Sequence, residues 1–334
     1  MKSPARSPRW GVVVPSNRPD RLATFESAWT PIFERHEVGL FVVRDREPWP
    51  GIPEWIPKRT DAIRSWGIVQ AVRAGCEYIV SMDDDVLPIG SEQGLSWDGA
   101  PSSPYVDPFS HYEVAFEHGA PVSPWLSVGA LTDTGLQMRG FPHCDTPRRK
   151  IAVQYGGWDG VPDLDGVTQA ECAIDDAVFA PVVLPVPVGS PVTTCAMNMA
   201  FPAWFAVAMW QLPVVDGRYD RWCDIWSGLI QKRVADACGF AVVLNGRARV
   251  FHSRASDTAV NVRKEAPGYR IHDGLWEAIV EGAPVAGRYD IRDVERVWSR
   301  AVEALAFHID AKGDREWADR ILADRERWAA LFRS

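Results

Sequence analysis

The chain has 334 residues, 46% of them hydrophobic and 24% charged, with a formal net charge of −8. That length and composition fit one large globular domain or two small ones, and the acidic balance argues against a general nucleic-acid or anionic-membrane surface. An anionic ligand must then be met by local arginines, which outnumber lysines 30 to 6, or by a metal ion. The six cysteines include no C-x-x-C pair, so a structural zinc site is not expected. There is no secretory apolar segment behind Met1-Lys2 and no apolar run long enough to span a bilayer, so a cytoplasmic protein with reduced thiols is expected.

Residues 1–8 read as a loose tail. Gly11–Pro15 and Gly39–Val43 are short β-branched runs between turn residues and are predicted strands. Asp20–Trp29 and Ala62–Ala74 carry helical patterns. Tyr78–Met82 is a third apolar strand, and it runs straight into Asp83, Asp84 and Asp85. Strands alternating with helices predict an α/β fold with a mostly parallel sheet, in which ligands sit beyond the carboxyl ends of the strands. That rule picks out Arg18, Asp45 and the Asp83–Asp85 triplet, with Arg64 just before the third strand. Three adjacent carboxylates repel one another and lose hydration at a strand end. They ask for a counter-charge, and oxygen ligands suit Mg²⁺ or Mn²⁺ shared with a diphosphate. The plain alternative is a solvated acidic turn.

Residues 90–125 are rich in Gly, Ser, Pro and aromatics with poor periodicity, and are predicted as a long irregular insertion, a candidate lid. Val182–Val188 and Val192–Ala200 are predicted strands; Phe201–Gln211 and Trp226–Ala237 are predicted helices. Ala241–Leu244 and Ala248–Phe251 read as a hairpin through an Asn245-Gly246 turn. From about Tyr289 an i, i+4 stripe (Val294, Trp298, Val302, then Trp317, Ile321, Trp328, Leu331) predicts a docked terminal helix pair, with a homo-oligomer contact as the alternative. The expected organisation is a tail over 1–8, a main domain over 9–285 and a C-terminal helical extension over 286–334.

Several segments, taken in order, carry a resemblance. They are the Asp triplet, Arg139-Gly140-Phe141-Pro142, the run from Gly156 to Asp165 (GGWDGVPDLD), Cys195-Ala196-Met197-Asn198-Met199-Ala200-Phe201, and Phe251-His252-Ser253-Arg254-Ala255-Ser256 followed by Asn261-Val262-Arg263-Lys264-Glu265. As a set they resemble the reversibly glycosylated polypeptides, a family that includes the UDP-arabinopyranose mutases of plants. The resemblance implies a GT-A-like fold, in which an apolar strand ending in Asp-x-Asp holds a nucleotide-sugar. It also implies a metal-dependent, flavin-independent interconversion of the pyranose and furanose forms of that sugar. No strand is followed by the G-x-G-x-x-G that a flavin enzyme would need. A similar actinobacterial mutase acts on GDP-L-galactose in nucleoside-antibiotic pathways, and the arginine-rich composition places this chain nearer that branch. The plant R-Y-D-D-M-W segment is here Arg218-Tyr219-Asp220-Arg221-Trp222-Cys223-Asp224-Ile225-Trp226, two residues longer, and Val86 to Gln137 do not align. The sugar and the base therefore stay open.

By this resemblance Asp83, Asp85 and His252 hold Mn²⁺ or Mg²⁺. Arg18, Asp45, Arg64, Asp83, Asp84, Arg254 and Lys264 would face the nucleotide and its diphosphate, because guanidinium groups match phosphate oxygens in bidentate fashion. Asp45 can accept from guanine N1–H and its 2-amino group or from uracil N3–H. Ring contraction passes through an oxocarbenium-like centre at C1, which asks for carboxylates nearby. Asp163, Asp165, Asp220 and Asp224 are the candidates, and Asp224 matches the acidic residue before the family's Trp. Trp158 and Trp226 are candidates to offer ring faces to the sugar. Arg139 matches the arginine linked in the family to reversible glycosylation. A guanidinium stays protonated and is a poor nucleophile, so a positioning role is expected. The rival expectations are a glycosyltransferase with a separate acceptor and a non-catalytic scaffold subunit of the same family.

Overall fold

Strand β1 (Trp10–Ser16) divides the core in two. Its pleat sends Val13 to one face of the sheet and Trp10, Val12 and Val14 to the other, and each set joins a separate apolar cluster. The computed structural model describes residues 7–44, 51–90, 106–121, 148–172, 177–213, 217–253, 257–284 and 291–333. After β1 come α1 (Pro19–Arg35), β2 (Val38–Arg44), a 3₁₀ turn (Asp61–Ile63), α2 (Arg64–Arg73), β3 (Tyr78–Met82), β4 (Val86–Leu87) and α3 (Pro108–His118). Then follow β5 (Ala120–Pro121), β6 (Arg148–Arg149), β7 (Ile151–Gly160), α4 (Gly166–Glu171), β8 (Val183–Pro185), β9 (Asn198–Pro202) and a 3₁₀ segment (Ala203–Met209). The remainder is α5 (Cys223–Ala237), β10 (Ala241–His252), α6 (Thr258–His272), α7 (Leu275–Gly282), α8 (Val294–Ala311) and α9 (Arg315–Ala330).

The main sheet runs β2-β1-β3-β9-β7-β10-β4, with β8 added on β10. β1 is parallel to β2 and β3, and β7 is parallel to β10; β9 enters antiparallel between β3 and β7. α1 and α3 cover one face, while α2, α5 and the C-terminal helices cover the other. This mostly parallel sheet flanked by helices is compatible with the GT-A-like expectation. Gly67 lets α2 lie flush on β1: a Cβ there would stand 2.4 Å from Val13. The close seat carries the first turn of α2, and with it Arg64, to the end of β3. Among the described residues no helix is long and apolar enough to cross a membrane.

Three local expectations need correction. Part of the segment read as irregular is helix α3, capped by Asp107, whose carboxylate accepts from the N–H groups of Phe109 and Ser110. Its Phe109 and Tyr112 are fully buried, and the Tyr112 hydroxyl donates to Asn198 at 2.7 Å. Those anchors come from distant strands, so local periodicity did not reveal the helix. The Asn245-Gly246 hairpin does not form either; β10 is one strand of 12 residues, parallel to β7 along both halves, with its register shifted between Asn245 and Val250. Asn245 absorbs the irregularity by donating to Gln154 at 2.8 Å and accepting from the Arg247 N–H at 3.2 Å. Gly246 is required because a Cβ would lie 1.9 Å from the Ala180 carbonyl oxygen. Finally, the predicted helix Phe201–Gln211 is strand β9 running into the 3₁₀ segment, and the predicted strand Val192–Ala200 is extended pairing only from Asn198.

The C-terminal stripe is spent inside the chain. Val294, Trp298, Val302, Trp317, Ile321 and Trp328 are buried in the same cluster as α5 and the 3₁₀ segment. The indole N–H groups of Trp317 and Trp328 donate to the Pro213 and Val207 carbonyls at 2.7 Å each. These rings contribute both apolar area and a satisfied polar edge.

Candidate functional site

The carboxyl ends of β1, β3, β7 and β10 converge. Ser16 ends β1 and Arg18 follows it, and Asp83–Asp85 follow β3. Val161–Asp163 follow β7, and His252 ends β10 beside Val86 in the ladder. The Ser253 hydroxyl and N–H both reach the Asp85 carbonyl, at 3.0 and 3.3 Å, which fastens the triplet to the end of β10. A cavity of about 380 Å³ opens here, lined by Ser16, Arg18, Arg59, Asp61, Asp83, Asp84, Asp85, Asp220 and Arg221 among others. A smaller cavity of about 110 Å³ shares Ser16, Asn17 and Arg18 and continues along Leu22, Ala23, Glu26 and Arg44.

Arginines answer the repulsion within the triplet. Asp84 is buried; it accepts from Ser16 Oγ at 2.5 Å and is held by the Arg18 guanidinium. Asp85 lies 3.3 Å from Arg18 and 3.7 Å from Arg21. Arg64 is 1% exposed, donates to Ser81 Oγ at 2.7 Å and the Met82 carbonyl at 3.0 Å, and pairs with Asp83. His252 Nδ1 is 2.7 Å from the Val161 carbonyl. In the neutral imidazole the nitrogen facing that carbonyl carries the proton, which leaves the Nε2 lone pair free to accept. Among the described residues, however, no three His, Cys, Asp or Glu side chains already form a metal-holding group.

Across the cavity stands a second acidic set. Asp61 is exposed to the cavity, yet burial drives its carboxyl up to about 6, against the pull of Arg64 and with Asp83 and Asp220 adding to the rise. Burial pushes Asp224 further, to about 8, with Asp61 and Asp163 acting in the same direction. Only the Ile225 N–H and Arg221 oppose this. Asp224 therefore holds its proton at neutral pH and cannot serve as the anion expected beside an oxocarbenium centre. Asp163 lies 3.7 Å from Arg221, and Asp220 lines the cavity itself. Arg221 also pairs with Glu265 at 3.2 Å, and Glu265 in turn accepts from the Gly166 N–H at 2.7 Å. Lys264 reaches Asp220 at 3.2 Å on the rim. Burial and the neighbouring Asp163 and Asp224 raise the Cys195 thiol well above its ordinary value, so it offers no thiolate nucleophile.

Three expected roles change. Trp226 is fully buried, enclosed by Tyr219, Trp222 and Trp317, with its N–H donated to His272 at 3.1 Å; its face is not open to a sugar. Asp165 caps α4, accepting from the Val167 and Thr168 N–H groups and from the Thr168 hydroxyl, and does not line the cavity. Trp158 is 9% exposed and packs on Phe179 with ring centres 4.6 Å apart, so most of its surface is likewise spent on packing. Asp45, Arg139 and Arg254 lie outside the described residues.

The model of the reversibly glycosylated polypeptides matches residues 54–279, well over half of the chain. This chain belongs to that family. The matched span contains the Asp triplet, both acidic sets and His252. Among its relatives are the probable UDP-arabinopyranose mutase 1 of Pisum sativum, 28% identical over 296 residues, and UDP-arabinopyranose mutase 3 of Arabidopsis thaliana, 26% over 293. A third is UDP-arabinopyranose mutase 1 of Oryza sativa subsp. japonica, 26% over 296 residues. Each alignment covers 77% of this chain and 73–74% of the relative.

Sequence reading passed over Asp61, Arg59, Arg221 and Glu265. Arg221 and Glu265 lay inside quoted motifs and were the most findable; Asp61 resembles any acidic residue in a first helical turn. The reading also missed that the C-terminal helices set the site. Tyr219, at φ 65°, donates its hydroxyl to Asp314 at 2.7 Å and stacks on Trp317 at 4.5 Å. Asp314 also receives Arg218 at 3.1 Å and caps α9. Replacing Asp314 by Ala removes a cap and a buried hydrogen bond, so a loss of about 2 kcal/mol is expected. Urea denaturation measures it, and an unchanged midpoint would refute this linkage between α9 and the Asp220 loop.

Proposed function

We propose that this chain interconverts the pyranose and furanose forms of a nucleotide-bound sugar, with no separate acceptor. The observation that carries the reading is the cavity in which the family's Asp triplet faces Asp61, Asp220 and Arg221. GDP-L-galactose is the favoured substrate and the UDP-arabinopyranose of the plant relatives is the next. The diphosphate lies along the triplet and Arg18, and the nucleoside extends toward the smaller cavity beside Leu22, Glu26 and Arg44.

The donor chemistry suits a hard divalent cation: Asp83 and Asp85 would supply oxygens on leaving their present partners, and His252 its Nε2, since among the described residues they form no ready-made cluster. When bound, Mn²⁺ or Mg²⁺ supplies neutralising charge to the departing diphosphate. The chain's own residues handle the sugar. The C1–O(phosphate) bond breaks, the 4-hydroxyl oxygen bonds C1 and passes its proton to the departed diphosphate, the C1–ring-oxygen bond breaks as Asp224 protonates that oxygen, and the diphosphate bonds C1 again while its proton returns to Asp224. Asp163 stabilises positive charge at C1. Asp224, protonated at neutral pH, supplies the proton for the opening ring oxygen.

The test is incubation with GDP-L-galactose or UDP-arabinopyranose and Mn²⁺, without acceptor, read by product NMR. A furanosyl nucleotide is expected; turnover seen only after an acceptor is added would establish a transferase instead. In a thermal-shift measurement, a nucleoside diphosphate at a hundredfold excess over Kd should add about 2.7 kcal/mol. The shift should need Mn²⁺ and be larger for GDP than for UDP. Equal shifts with and without Mn²⁺ in chelator-stripped protein would refute the metal assignment.

A further inference from the structure

Three arginines line the larger cavity among the described residues: Arg18, Arg59 and Arg221. Arg18 is committed to Asp84 and Asp85, and Arg221 to Glu265 and Asp163. Arg59 makes no ion pair or hydrogen bond with any described residue. Its backbone is also unusual, because φ is +59°, a left-handed conformation that costs a residue with a Cβ about 1 kcal/mol or more.

The loop around it enforces that conformation. Lys58 Nζ is used up on the carbonyls of Pro53 and Ile56, at 2.5 and 2.7 Å, and the Thr60 hydroxyl reaches the Pro57 carbonyl at 3.3 Å. Ile56 is buried beneath the loop. From outside, Arg320 of α9 donates to the Trp55 carbonyl while pairing with the buried Asp324. A strained loop held by these contacts thus presents a cation with no described partner to a cavity that the Asp triplet also lines. Strain held by so many contacts is the mark of a group preset for a ligand rather than of a freely solvated side chain.

We infer that Arg59 is a phosphate-binding residue that contacts the diphosphate of the substrate in the cavity it shares with the Asp triplet. The inference rests on the nucleotide-sugar reading above. It makes the diphosphate, rather than the nucleoside, the part of the ligand that Arg59 recognises.

The experiment is calorimetric titration of wild type, Arg59→Gly and Arg59→Lys with guanosine, GMP and GDP and with the uridine series, all with Mn²⁺. Arg59→Gly suits the left-handed φ, so the fold is retained and a thermal melt should show equal or higher stability. Loss of a charge-assisted contact should weaken nucleoside diphosphate binding by about 10- to 100-fold in Arg59→Gly. Arg59→Lys should fall between it and wild type. Nucleoside binding should not change. If wild type binds the nucleoside diphosphate and Arg59→Gly binds it equally well, Arg59 is not the phosphate contact and the site reading survives. If the glycine variant loses nucleoside and diphosphate affinity alike, Arg59 does not recognise phosphate. If wild type binds neither GDP nor UDP, the nucleotide-sugar reading itself falls, and this inference with it.

Discussion

Asp224→Asn should slow turnover by orders of magnitude and at the same time stabilise the protein at pH 8. The Asp224 carboxyl is raised to about 8, by burial first and by Asp61 and Asp163 next. In the unfolded chain it would lose its proton near its ordinary value of 3.8. Between those limits the folded state binds the extra proton, so this group's contribution to stability falls as pH rises, by about 1.4 kcal/mol per unit at most. The cost is absent below the lower limit and complete above the upper one. Asn carries no titrating proton and escapes it. The melting temperature of Asp224→Asn relative to wild type should therefore climb from pH 5 to pH 8. The amide cannot deliver a proton to the ring oxygen, so kcat should drop about 10²- to 10⁴-fold. Wild-type kcat should itself decline above about pH 8, as the acid ionises. A variant with wild-type turnover, or a melting difference that is flat with pH, would remove Asp224 from the acid role.

Arg64→Ala should be among the most destabilising single changes in the chain, at about 2–4 kcal/mol, because it takes a donor from the buried Ser81 hydroxyl and Met82 carbonyl and leaves a cavity, while the lost pairing with the one-third exposed Asp83 adds less. Arg64 joins three things at the end of β3: the Ser81 hydroxyl, the Met82 carbonyl and Asp83. Without it Asp83 faces Asp84, Asp85 and Asp61 with its nearest counter-charge gone, and the space left by the side chain lies inside the core. Arg64→Lys keeps the charge but not the planar fork that spans hydroxyl, carbonyl and carboxylate, so an intermediate loss is expected. Denaturant unfolding of the three proteins checks the order. A midpoint for Arg64→Ala within experimental error of wild type would mean that the triplet needs no structural counter-ion.

The Asp triplet and these two residues divide what was legible from what was not. The triplet could be found in the sequence because the signal is local: an apolar run of strand length ends in three carboxylates, and β3 is Tyr78–Met82 with no residue gained or lost. The strand–helix alternation and the tryptophan stripe of α8 and α9 were legible for the same reason, since pleat and helical pitch are properties of neighbouring residues. Family motifs added the Asp220–Asp224 segment and the end of β10. Arg64 was expected at the nucleotide, but it is buried and spent on Ser81, Met82 and Asp83, partners that only the fold brings to it. The proton on Asp224 was not legible. It depends on Asp61 and Asp163, which reach it from elements 163 and 61 positions away along the chain, and on burial that none of the three segments announces. Trp226 and Asp165 went astray likewise. A tryptophan suits a sugar face or a core, and an aspartate suits a catalytic site or a helix cap. The choice was made by Tyr219, Trp317 and His272 around the one and by the Val167 and Thr168 amides at the other. Asn245-Gly246 has the composition of a turn, yet Gln154 and the Ala180 carbonyl hold it as a bulge within β10. Local pattern carries the periodicity of hydrogen bonding and the apolar face, whereas desolvation, ion pairing and steric closeness arise only when distant segments meet.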